Sequence, residues 1–141
     1  MKRITRFLHS DSGASAAEFA IVLPLFLLMF FGIIVFGFYL ALVHGVQQLA
    51  AEAARSSVPG LSETERASLA QSYVSDNVRS YGLIDPSKVA VTASASPTDA
   101  NVFVVTVNYD ASDSFIFGLR HLVPTPSPNI ARSAAIPRGG F

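Results

Sequence analysis

The sequence predicts an α+β chain: one long helix with its first half in a membrane, then a short helix and a small antiparallel sheet. Three observations carry this reading. Residues 19–43 form a run of 25 without a single charge. A helix-capping pattern and an amphipathic stretch follow within residues 62–82. Two further segments, 88–96 and 102–109, alternate apolar with polar or small side chains. Composition agrees, since half of the 141 residues are hydrophobic and only 14% are charged, few for a soluble chain of this size. The formal net charge is zero, so no basic field favours nucleic acid. The absence of cysteine rules out disulfides, thiolate catalysis and cysteine-based metal sites.

Residues 1–13 read as a basic leader. Lys2, Arg3 and Arg6 are opposed only by Asp11, and Asp11-Ser12-Gly13 is a poor helix former and an accessible substrate. Residues 14–57 read as one helix. At 1.5 Å rise per residue its uncharged run exceeds the ~30 Å of a bilayer's hydrocarbon core. Pro24, Gly32 and Gly37 interrupt the run, and transmembrane helices tolerate such residues. The alternative is a buried core helix, but the remaining chain is too small to wrap it on all sides. Positive charge gathers before the span, whereas Glu52 and Arg55 cancel after it. The N-terminus is therefore expected in the cytoplasm. Beyond the span, Val43, Val46, Ala50 and Ala53 recur at helical spacing, with Gln47, Gln48, Glu52 and Arg55 on other faces. The helix is thus expected to continue as an amphipathic stem until Val58-Pro59-Gly60 breaks it.

Residues 58–141 are expected to form a small extracytoplasmic domain that folds without the helix. Ser62-Glu63-Thr64-Glu65 is a capping-box pattern. The helix after it should present Leu69, Ala70, Tyr73, Val74, Val78 and Tyr81 on one face and close at Gly82. In the first strand Val89, Val91, Ala93 and Ala95 share a side, and in the second Phe103, Val105, Val107 and Tyr109 face inward. Pro97, Thr98, Asp99, Ala100 and Asn101 make the turn between them. Residues 115–123 are apolar without a clean period, and either cap the sheet or meet a partner subunit or the membrane surface. Pro124, Pro126 and Pro128 exclude regular structure, residues 130–136 suggest a third, weaker strand, and residues 137–141 read as a loose tail.

No catalytic constellation emerges. His9, His44 and His121 fall in the leader, at the membrane edge and in an irregular loop, and no motif for a nucleophile, a phosphate loop or a metal appears. Neither a cofactor nor a metal site is expected, and no catalytic residue. The informative segment is residues 12–19, Ser-Gly-Ala-Ser-Ala-Ala-Glu-Phe. A secretory signal carries its small-residue cleavage site after its apolar core, but here the small residues come first. Ala51-Glu52-Ala53, past the span, could mimic such a site, yet the run before it is too long for an ordinary signal core. A cut on the cytoplasmic side, between Gly13 and Ala14, fits better, because it removes the charged leader and leaves the helix in place. Glu18 would then be the fifth residue of the mature chain. A carboxylate beside an apolar span is either functional and paired, or solvated in the headgroup zone.

Gly13, four small residues, Glu18-Phe19 and an apolar helix resemble the start of prepilins. More closely, residues 13–24 and the stem at residues 46–55 resemble TadE-like proteins of the tight-adherence (Flp) pilus system. The resemblance covers residues 13–55. It implies a structural minor pilin or pseudopilin of the bacterial inner membrane, single-pass, with its C-terminal domain periplasmic. It also implies cleavage after Gly13 by a prepilin peptidase, and assembly with other pilins and the secretion machinery. Glu18 and Phe19 would set the register between subunits, with Phe19 standing where major pilins favour tyrosine. A different reading keeps the same bulk features, namely an unprocessed single-pass protein with an extracytoplasmic binding module. A membrane-anchored enzyme would need a catalytic set that the sequence does not offer.

Overall fold

The computed structural model describes residues 11–138. Lys2, Arg3 and Arg6, on which the expected orientation rests, lie outside the described residues, as do His9 and residues 139–141 of the tail. The first helix, α1 (Asp11–Ser56), runs unbroken through Pro24 and Gly32. Pro24 lacks the N–H that would bond the Ala20 carbonyl, yet the helix continues. It begins earlier than the sequence suggests, since Asp11, Ser12 and Gly13 are helical. Alanines at 14, 16 and 17 are the reason, since adding a residue to an existing helix is easy with the strongest helix formers beside it.

After α1 come α2 (Glu63–Asn77), two short 3₁₀ turns, β1 (Val89–Ala95), β2 (Val102–Asp110), a one-turn helix α3 (Phe115–Gly118) and β3 (Asn129–Pro137). The sheet is antiparallel in the order β1-β2-β3, with Val105 opposite both Ala93 and Ala134. Ser62 caps α2, its hydroxyl accepting from the Glu65 amide at 3.1 Å, while the Glu65 carboxylate accepts from the Leu61 amide at 2.9 Å. α2 ends before the predicted stop at Gly82. Its last residues tighten into a 3₁₀ turn at Val78–Ser80. The turn between β1 and β2 is held by Asp99, whose side chain accepts from the Asn101 amide and whose carbonyl accepts from Val102.

The core lies where β2 meets α1. Phe103, Val105, Val107 and Tyr109 of the central strand are buried, as their alternation predicts. Leu42, Val46, Leu49, Ala50 and Ala53, one stripe of α1, are buried in the same cluster, together with Ala70, Val74 and Val78 from the α2 side. This differs from the expectation that residues 58–141 hold a core of their own. A three-stranded sheet with one short helix has too little apolar surface to close by itself, so the stem is its missing layer. The buried stripe keeps Val46, Ala50 and Ala53 of the predicted one and adds Leu42 and Leu49. Leu42 is fully buried while Val43 is only partly so.

A close approach fixes the far end of the domain. A Cβ on Gly60 would stand 2.8 Å from the Arg66 amide nitrogen, so only glycine lets α2 start so near the end of α1. Arg66 donates from Nε to the Gly60 carbonyl at 2.9 Å and from Nη2 to the Arg138 carbonyl at 2.8 Å. Glu63 accepts from the Ala95 amide at 3.0 Å and pairs with Arg138 at 2.7 Å. These two contacts hold its carboxyl below the ordinary value, the Ala95 hydrogen bond contributing most.

Candidate functional site

The N-terminal half of α1 is apolar and has almost nothing packed on it. Ile21, Leu25, Met29 and Ile33, spaced four apart, form one ridge, and each is at least 61% exposed. Such i, i+4 ridges are the surfaces that interdigitate when helices pack. Phe26 stacks on Phe30, and Phe30 meets Phe31 edge-on. Ile21, Pro24, Leu28 and Phe31 line a shallow apolar hollow of about 660 Å³, with Leu122 at its rim. This half is long and apolar enough to cross a membrane, and burying it in lipid removes a large apolar surface from water.

Gly13, Ala14, Glu18 and Phe19 are all exposed at the start of this half. Being helical, they share a frame, and Glu18 lies one turn beyond Ala14, about 6 Å along the axis. Because α1 begins at Asp11, Glu18 stands about two turns inside it, past the four unsatisfied amide donors of its start. Glu18 makes no ion pair with another described residue. Of the histidines, His44 is exposed on α1 and His121 exposed in the β2–β3 loop. Among the described residues no three His, Cys, Asp or Glu side chains come together as a metal site.

Residues 13–55 match the family model described as TadE-like protein. This segment is TadE-like. Its bounds nearly coincide with α1, so the match takes in the apolar half and the stem together. No curated protein and no solved structure matches the chain. A TadE-like segment on an apolar N-terminal helix fits a membrane-anchored, pilus-associated protein.

Of the β2–β3 loop's apolar residues, half-buried Phe117 packs against the main core beside the sheet. The loop's buried members, Ile116 and Val123, stand outside the main core, as does Val35 of α1. Phe115 packs edge-on against Phe38 of α1, with ring centroids 4.8 Å apart, and Val123 lies 3.9 Å from where a Cβ on Gly32 would be. The loop therefore folds back along the TadE-like helix, toward its N-terminus. An apolar run without a helical or strand period, followed by prolines, was the available signal; it gives no hint of which surface the run covers.

Proposed function

We propose that this chain is a pilus-assembly subunit, a minor pilin or pseudopilin, that packs with other pilins through the apolar half of α1. The observation that carries this is the coincidence of the TadE-like match with a helix whose N-terminal apolar ridge stays largely exposed among the described residues. In this reading a prepilin peptidase cuts between Gly13 and Ala14, on the cytoplasmic face of the inner membrane, and the folded domain is periplasmic. The chain's role is structural, with neither cofactor nor catalysis.

Cleavage would create an α-amine at Ala14, a cation about one turn from Glu18. Both then lie at the edge of a low-dielectric phase, where an unpaired charge is expensive. Within one chain the helix directs the two groups only loosely toward each other. Between staggered helices, Glu18 of one subunit meets the amine of the next, which fixes the axial register while neutralising both charges. Such a pair adds little net stability, but losing one partner costs ~3–5 kcal/mol when the other stays buried.

Glu18→Ala tests this reading. It removes a charge from the edge of the span, so membrane insertion should be unchanged. Crosslinking to partner pilins, at matched membrane levels, should fall by at least tenfold, a conservative reading of that cost. Undiminished crosslinking would make Glu18 an ordinary solvated carboxylate and remove the register mechanism.

A further inference from the structure

With Glu18 at one edge of the bilayer, about twenty residues of helix reach the other edge, which puts it near Phe38. Phe115 of the β2–β3 loop packs against Phe38 itself. Val123 is level with Gly32, six residues deeper, which is about 9 Å below that edge. The helix cannot take this position without carrying the loop into the leaflet. We propose that residues 115–123 are a second membrane contact, seating Phe115 and Leu122 among the acyl chains on the domain side of the bilayer. The proposal rests on α1 spanning the membrane, as argued above.

The loop's surface and backbone suit that surrounding. Phe115 is 56% and Leu122 58% exposed, and both join the apolar surface of α1, Phe115 against Phe38 and Leu122 beside Leu28 and Phe31. Backbone donors must be satisfied internally in lipid. The amides of Phe117, Leu119, Leu122 and Val123 donate to carbonyls within the loop, and Ala111 closes its base on the Pro128 carbonyl at 2.9 Å. The return path through Pro124, Pro126 and Pro128 has three fewer donors to satisfy. Arg120 and His121 are the polar members. In sequence Arg120 falls between Phe115 at that edge and Val123 about 9 Å below it, a range over which an arginine stem can lie along the acyl chains while its guanidinium reaches the lipid phosphates. The ion pair of Lys88 with Asp113 sits at the loop's base, where water is available.

The chain has no tryptophan, so single introduced tryptophans report one position each. Four full-length variants, Phe115→Trp, Leu122→Trp, Phe30→Trp within the span and Thr92→Trp on the exposed face of the sheet, are reconstituted in phosphatidylcholine–phosphatidylglycerol vesicles. The probe is phospholipid brominated along its acyl chains. Tryptophan at 115 and 122 should emit at shorter wavelength than at 92 and be quenched several-fold more strongly, in the range of position 30. Positions 115 and 122 behaving like 92 while 30 is quenched would overturn the loop's insertion and leave the span intact. An unquenched tryptophan at 30 would overturn both. Quenching at 122 that disappears as the protein-to-lipid ratio rises would assign this face to a second copy of the chain instead of lipid.

Discussion

Glu63 joins three places far apart in the sequence: the first turn of α2, the end of β1 through the Ala95 amide, and Arg138 beyond β3. Its carboxyl is held below the ordinary 4.5, so the folded chain keeps this group ionised to lower pH than the unfolded chain does. The tether's contribution is therefore complete above pH 4.5 and is lost as pH falls through the lowered value. Glu63→Gln keeps an oxygen for the Ala95 amide but removes the charge. In urea denaturation the parent chain should lose more stability between pH 7 and pH 3 than Glu63→Gln does, and high salt should shrink the difference, because the pair is solvent-exposed. Equal losses would mean that the ion pair does not contribute to folding. Of these contacts only the capping of α2 by Ser62 was legible in the sequence, because a cap depends on four consecutive residues. Arg138 lies 75 positions from Glu63, and no local pattern links them.

Along α1 two environments follow one another on a single helix. Lipid and a protein core both select apolar side chains, so the uncharged run through residue 43 does not reveal where one ends and the other begins. The strands were easier to read: β2 buries one side only, and its period of two survives in the sequence as Phe103, Val105, Val107 and Tyr109. Leu42 and Leu49 are the largest stem side chains in the shared core. Leu49→Ala should destabilise the domain by ~2–5 kcal/mol, read from urea denaturation of the full chain in detergent. A fragment beginning at Tyr39 should show cooperative unfolding by circular dichroism, whereas one beginning at Val58 should not, since it lacks the stripe that covers β2. Cooperative unfolding of the shorter fragment would show that the sheet and α2 suffice by themselves.

At the scale of the whole molecule, the two ends of the domain differ in kind. Arg66, Glu63 and Arg138 form a polar tie at the end of α1. The opposite end carries Phe115, Ile116 and Val123 against the apolar helix. Because the stem is part of the core, the domain cannot swivel freely on its anchor, and the helix position fixes where the domain stands over the membrane. In a subunit packed through α1, register set at Glu18 would therefore be passed to the domain without loss through a linker. That account depends on the mature chain beginning at Ala14, since only cleavage there creates the amine that Glu18 is held to pair with. The most direct test is the intact mass of the full-length gene product purified from membranes of a host with an active prepilin peptidase. The predicted mass is that of residues 14–141, without the basic leader. The mass of the uncut chain would contradict the account and favour an unprocessed single-pass anchor carrying a binding domain.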